Sequence, residues 1–364
     1  MKLILYIKGS PIDDVRIQKF ISFFQSKCID VYFWGWNRTA KNEPKCDNVK
    51  YLFTGGGFGG KLLLLYYPIW MIILFCKFIF SCDLKKYTII AINFECAFPL
   101  FLASKIKNIP YIYEVYDEFA ISHNFPTWIK KVLIRLDHKV MKKAGLVIHV
   151  DNNRITYNEC KTVVIENSPY DYLKGKERNY DSVKHSFAII GNISSTRGID
   201  QIFLFAQKYP NISFLLAGTF YDTHYKKKLL SLPNVTYYDR MPQAELFDKL
   251  IDCCGIFSLY DPKLEINRLA ASNKVYDAMM LGIPVITNPE VTNSVFIKEH
   301  GVGIIVDYMF NDTWKILAER NFIDTAKVIG RKGRDLYLKN TTVQRNYPIG
   351  SVDLNRNHSS DVLV

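Results

Sequence analysis

Short runs of β-branched and aromatic residues alternate with helix-length stretches along almost the whole chain, and the pattern occurs twice. In the first half, residues 2–7, 30–35, 49–53, 87–93, 109–115 and 144–150 read as strands, and Gly9-Ser10-Pro11 turns into a helix over about 13–27. In the second half, residues 187–190, 212–218, 235–238 and 256–259 read as strands, joined by helices over about 199–209, 225–230 and 244–252. Alternating βα units predict parallel sheets with right-handed crossovers and a ligand at the carboxyl ends of the strands. In a chain of 364 residues, two such runs predict two domains of an α/β protein. The expected division is a Rossmann-like domain over 1–168, a linker rich in charge and tyrosine over 169–185, and a second Rossmann-like domain over 186–311. Helices over 312–339 then return onto the body, and 340–364 form a polar tail with little to bury.

The most informative segment for function is 272–286, Ser-Asn-Lys-Val-Tyr-Asp-Ala-Met-Met-Leu-Gly-Ile-Pro-Val-Ile. Gly282 can close a helix in the left-handed conformation, Pro284 keeps it from continuing, and Val285 and Ile286 open a buried strand. Asn273 and Lys274 therefore sit near a helix N-terminus, where free backbone amides and the macrodipole attract an anion. Asp277 lies one turn on, along the same face as Lys274. A cation at an anion site with a carboxylate beside it suits a ligand carrying phosphates at one end and hydroxyls at the other, as a nucleoside diphosphate does. Upstream, the strand 187–190 runs into Gly191-Asn192-Ile193-Ser194-Ser195-Thr196-Arg197-Gly198 and then a helix. That is a second anion cradle, and Arg197 adds a fixed charge able to hold phosphate bidentately.

The 272–286 segment resembles the donor-binding motif of family-4-type glycosyltransferases, and 191–198 resembles the first loop of that family's C-terminal domain. The resemblance covers most of the chain. It implies the B-type glycosyltransferase fold, two Rossmann-like domains facing a cleft with a C-terminal helix packing back. Lys274 and Arg197 take the roles of diphosphate contacts, with Gly191, Gly198 and Asn273 around them, and Asp277 that of the residue gripping the ribose, where the family prefers glutamate. Asn192 stands where many members carry a second basic residue. The loop holding Arg240 corresponds to one beside the nucleotide base. The segment 113–118, Tyr-Glu-Val-Tyr-Asp-Glu, resembles the family's Asp-x-His-Asp segment: Glu114 stands for the first Asp, Tyr116 where histidine is common, and Asp117 for the second Asp. Asp117 is the expected catalytic base, followed by Glu118. Gly9, Asp13 and Arg16, at the first turn of the N-terminal domain, are expected on the acceptor side, and His123 is read as a loop residue. The family often has a glutamate eight residues before the ribose-binding acid, and here that position is Leu269.

The function this implies is transfer of a sugar from a nucleotide-diphosphate sugar to a lipid-linked saccharide during surface polysaccharide assembly. Two alternatives stay open: a nucleotide-sugar epimerase on the same fold, and an inactive scaffold that binds nucleotide sugar. The expected setting is cytoplasmic, peripheral on the inner face of the cell membrane. The run 62–80 is apolar at seventeen of nineteen positions, close to a transmembrane length. Strands on both sides of it should share one sheet, so it is read as a buried helix with an exposed part. Residues Trp128 to Lys143 make an amphipathic helix with Ile129, Val132, Leu133, Leu136 and Val140 on one side and six Lys or Arg residues elsewhere. With a net charge of +12, this helix is the expected contact with anionic lipid. The charge calls for no nucleic acid, since no recognition motif accompanies it. Eight cysteines without a Cys-x-x-Cys pair read as reduced core thiols, with Cys253 and Cys254 at a helix end. No metal-ligand spacing and no Asp-x-Asp motif occur, so neither a metal nor a further cofactor is expected. The glycine run 55–60 formally matches a dinucleotide fingerprint, but it follows the third strand rather than the first and is read as a loop.

Overall fold

A computed structural model describes residues 3–38, 47–57, 63–123, 125–152, 155, 157–221, 223–270 and 272–344. The chain divides into two compact units, with the break between Glu166 and Asn167. The first contains β1 (Leu3–Lys8), α1 (Val15–Ser26), β2 (Asp30–Asn37), β3 (Val49–Thr54), α2 (Leu63–Phe80), β4 (Tyr87–Ile92), α3 (Phe94–Lys107), β5 (Tyr111–Val115), α4 (Phe119–Ser122), α5 (Thr127–Lys143), β6 (Leu146–His149) and β7 (Thr162–Val164). The second contains β8 (Lys184–Ile193), α6 (Ile199–Lys208), β9 (Ser213–Phe220), α7 (Thr223–Leu230), β10 (Val235–Tyr238), α8 (Gln243–Leu250), β11 (Cys253–Phe257), α9 (Glu265–Arg268), α10 (Asn273–Leu281), β12 (Val285–Thr287), α11 (Asn293–His300), β13 (Gly303–Ile305) and α12 (Phe322–Gln344).

Both sheets are parallel throughout. The first runs β3-β2-β1-β4-β5-β6-β7 and the second β10-β9-β8-β11-β12-β13. Each reverses direction once, between β1 and β4 and between β8 and β11, and a crevice opens at such a switch point beyond the carboxyl ends of the strands. Side chains alternate along β1. Tyr6 packs on Phe20 and Phe24 of α1. Leu5 and Ile7 join a core with Tyr67, Trp70, Leu74 and Phe78 of α2, Leu100 of α3 and Val140 of α5. The helices α2, α3 and α5 therefore cover one face of the first sheet and α1 the other. The apolar run of α2 lies along its sheet through its buried side, as the topology requires.

Several local expectations need correction. The strand at 162–164 escapes notice because three residues carry too little pattern. The strand expected to end at Ile190 continues as β8 to Ile193, because Gly191, Asn192 and Ile193 pair with Gly218, Thr219 and Phe220 of β9. Cys253 and Cys254 lie in β11, buried, and not at a helix end. In α5, Val132 is 46% exposed whereas Asp137 points inward and accepts the Tyr113 hydroxyl at 2.8 Å. Residues 169–185 are built into the second unit: buried Arg178 donates to the carbonyls of Ile251, Gly282 and Cys253. The returning helix α12 packs on that same unit, where Arg334 donates to Met280 O and Tyr337 to Pro169 O.

Candidate functional site

The second unit brings two cations, Arg197 and Lys274, to the β8/β11 switch point. β8 runs into a tight 3-10 turn over Ser195–Arg197, and Gly198, at φ +71°, starts α6. A Cβ on Gly198 would lie 2.8 Å from Leu259, so glycine lets this turn close against the segment after β11. Thr196 O accepts from Asp261 N at 3.0 Å and from Asn267 Nδ2 at 3.3 Å, which fixes the turn from the other side.

Tyr260 then organises the charges. Its backbone N–H donates to Asn288 Oδ1 at 2.9 Å and its carbonyl accepts from Asn288 Nδ2 at 3.1 Å. The Arg197 guanidinium stacks 4.1 Å from the centroid of its ring and the Lys274 ammonium lies 5.6 Å from it. Burial raises the Tyr260 pKa, but the charges of Lys274 and Arg197, with the hydroxyls of Ser272 and Ser258, outweigh it and pull the phenol down. Lys274 is lowered, chiefly by burial, with Arg197 adding to the effect against Tyr260 and Asp277. The Arg197 Nη1 atom is buried with no hydrogen-bond partner, the costly condition that an anion would relieve. The α6 and α10 helices both start without a side-chain cap; the Ser272 hydroxyl is taken up by Ser258 at 2.8 Å instead. Ile199 N and Val275 N already donate, to Ser194 O at 3.4 Å and to Ser272 O at 3.1 Å, and the other first-turn amides are the ones a ligand could take up.

The structure therefore brings together Arg197, Gly198, Asn273, Lys274 and Asp277, the last two one helical turn apart on α10. Gly191 and Asn192 sit just upstream, exposed at the end of β8 rather than in a loop. Arg240 stands exposed beyond β10, the edge strand two places from β8. Burial, with Lys274 opposing it, pushes the Asp277 carboxyl up to about 7. In the ribose-gripping role that the resemblance implies for Asp277, only the ionised carboxylate accepts from two hydroxyls, so nucleotide affinity is expected to rise as pH increases through about 7. Titrations across that range with Asp277→Asn should show the rise flattened; a pH profile unchanged by the substitution would remove Asp277 from the ribose site.

The first unit has a polar cavity of about 290 Å³ at its own switch point, lined by Gly9, Arg38, Glu95, Asp117, His123 and neighbours. Gly9 is the close approach here, since a Cβ would lie 3.1 Å from Glu95 Oε1 and 3.3 Å from Arg38 Nη2. Glu95 is 6% exposed, and burial pushes its carboxyl up to about 7 against the pull of Arg38 and Lys8. His123, in the bend that follows α4, lines the cavity. Its Nδ1 lies 3.0 Å from Phe119 O, which puts the proton on Nδ1 and leaves Nε2 as an acceptor, and burial lowers its pKa.

Asp117 lines this cavity, exposed, with its amide directed at Asn93 Oδ1 at 3.4 Å. Glu118 caps α4 outside the lining. Asp13 is exposed ahead of α1, whose N-cap is Asp14. Arg16 is turned inward, with Nε 2.8 Å from Glu114 Oε1 and both side chains buried. This pair holds α1 to β5. Sequence reasoning missed Tyr260, Glu95, Arg38 and Lys8. Glu95 lies three residues past the end of β4, a place whose meaning depends on the sheet order. Of the glycine run, Gly55, Gly56 and Gly57 all have positive φ, and the remainder lies outside the described residues. Among the described residues no group of three or more His, Cys, Asp or Glu could hold a metal ion.

No family model matches the sequence, and no curated protein matches it. Solved structures do match the fold. Sucrose-phosphate synthase from Thermosynechococcus elongatus superposes with a TM-score of 0.66 at 12% identity, over 97% of this chain and 98% of that one. HepE from Anabaena, solved in complex with UDP, gives 0.66 at 15% identity over 96% and 99%. UDP-GlcNAc 2-epimerase from Methanocaldococcus jannaschii, in complex with UDP-GlcNAc and UDP, gives 0.53 at 15% identity over 94% and 100%. With its two parallel sheets and near-complete coverage, the chain has the two-domain α/β fold of the B-type glycosyltransferases.

Proposed function

We propose that this chain is a glycosyltransferase that moves a hexose-type sugar from a nucleoside diphosphate to a lipid-linked saccharide in polysaccharide assembly, at the cytoplasmic face of a membrane. The observation that carries the reading is the partnerless Arg197 Nη1, buried beside Lys274 around the Tyr260 ring and next to two uncapped helix starts. In the transfer, an acceptor oxygen bonds to the anomeric carbon while the bond from that carbon to the diphosphate oxygen breaks. The electron pair goes to the leaving phosphate, where Arg197, Lys274 and the helix amides stabilise it, and no metal is required of this charge set. The acceptor oxygen gives up its proton to a general base. Asp117 is one candidate; Glu95 is the better matched, because a base held near 7 is poised for proton transfer at neutral pH.

The test is release of nucleoside diphosphate from UDP- and GDP-sugars in the presence of a native lipid extract. Turnover that needs the extract, falls by a factor of roughly 10²–10⁴ in Glu95→Gln and leaves donor binding intact is the expected result. No release with any donor would defeat the transferase reading. The second reading is epimerisation of the donor sugar, favoured by the epimerase among the fold neighbours and by Leu269 in place of an acid. It predicts interconversion of the donor sugar with no acceptor present.

A further inference from the structure

The described residues of the first unit expose eight large hydrophobic side chains above one-third of their surface, and all eight lie on the helix layer α2, α3 and α5. On α2, Leu65, Ile69, Ile72 and Phe80 are 44–80% exposed. Their spacing puts them in one stripe on the side opposite Tyr67, Trp70, Leu74 and Phe78, running about 22 Å at 1.5 Å per residue. Leu102 and Ile106 continue the surface onto α3, which packs against α2, and Trp128 and Val132 onto α5, which packs against α3. A helix that is apolar all round normally has both sides covered, yet only 28% of the α2 window is buried.

The charges on the same layer have a single sign. Lys77, Lys105, Lys131, Arg135, Lys139, Lys142 and Lys143 are all exposed. The three helices contain two acids, Glu95 and Asp137, and both are buried. Of the cations, Lys142 pairs with Glu159 from outside the layer. An apolar stripe on helices whose exposed charges are all cations is the complement of an anionic lipid surface, with side chains entering the acyl boundary and ammonium groups at the phosphates. A second copy of this chain suits the layer less well, because a two-fold contact would set cationic α5 faces near one another. α2 is apolar and long enough to cross a bilayer, but its inner side is part of the sheet core, so it lies on the surface and does not span it.

We infer that the outer layer of α2, α3 and α5 is a membrane-docking surface for anionic lipid, in which the α2 stripe inserts and the α5 cations hold the headgroups. The inference does not depend on the transfer reaction. It also enlarges the expected contact at 128–143, making α2 the inserting element and α5 the electrostatic one.

The test is co-sedimentation of the full chain with vesicles of phosphatidylcholine alone and with about one-third phosphatidylglycerol. Binding is expected only to the anionic vesicles and should weaken with salt. Two variants separate the contributions. Lys131→Glu with Arg135→Glu and Lys139→Glu should lower partitioning at least roughly tenfold. Leu65→Gln with Ile72→Gln should lower it roughly tenfold while leaving the salt dependence in place. UDP titration and light scattering of the same preparations keep failure here distinct from failure of the nucleotide site. Absence of vesicle binding, binding indifferent to both variants, or a stable homodimer abolished by Leu65→Gln with Ile72→Gln would each overturn the inference.

Discussion

Arg197→Ala and Lys274→Ala are each expected to weaken binding of a nucleoside diphosphate by roughly a hundredfold, about 2.7 kcal/mol, without weakening the fold. The two halves of that result have one cause. Arg197 Nη1 is buried with no partner, and Lys274 is desolvated enough for burial to lower its pKa. Unliganded, these groups are a burden on the second unit; a diphosphate relieves both at once, through charge-assisted hydrogen bonds in a partly dry site. Removal of either cation should therefore hold or raise the melting temperature while affinity collapses, the signature of residues kept for function. Arg197→Lys restores the charge but not the planar fork and should recover only part of the affinity. Calorimetric titration with thermal denaturation checks both halves. Equal loss of stability and affinity would mean that the cations support the fold.

Gly218→Ala should lower stability by roughly 3 kcal/mol or more and take the nucleotide site with it. Gly218 has φ +144°, and a Cβ there would lie 2.0 Å from the Gly191 carbonyl oxygen. That contact is backbone, so no side chain can rotate away. Relief requires β8 and β9 to separate at the Gly191–Gly218 step of their ladder, and Asn192 and the turn carrying Arg197 follow within a few residues. Denaturant unfolding gives the stability and UDP titration the binding. A variant that unfolds normally yet binds nucleotide would show that the end of β8 does not position the phosphate loop.

The βα rhythm of the sequence was enough to give the α/β class, the two units and most strands, because parallel strands buried on both faces read as continuous apolar runs. The Lys274 helix was legible for the same kind of reason: Gly282 and Pro284 mark its end, and from that end its mouth can be counted back. Tyr260 was not legible. Its role depends on Asn288 holding it from the next strand and on two cations brought from 63 residues upstream and 14 downstream, a juxtaposition no local pattern encodes. The pairing of Arg16 was hidden in the opposite sense: a charged residue on the first turn reads as a ligand contact, whereas its partner Glu114 lies 98 residues away. Glu95 was hidden because an acid opening a helix looks like an ordinary dipole-stabilising residue; only the sheet order shows that this helix begins at a switch point. The tie of residues 169–185 to the second unit was hidden for a related reason. Composition over 169–185 reads as a linker, but Arg178 is anchored to three carbonyls of the second unit.

The carboxyl edge of the second sheet, around Tyr260, is the proposed binding place of a nucleoside diphosphate. The most direct test is calorimetric titration of the unmodified chain with UDP, GDP and NAD in parallel. Saturable binding of UDP or GDP and none of NAD is expected. Binding of NAD alone, or of none of the three, would contradict it and return attention to the glycine run that begins at Gly55.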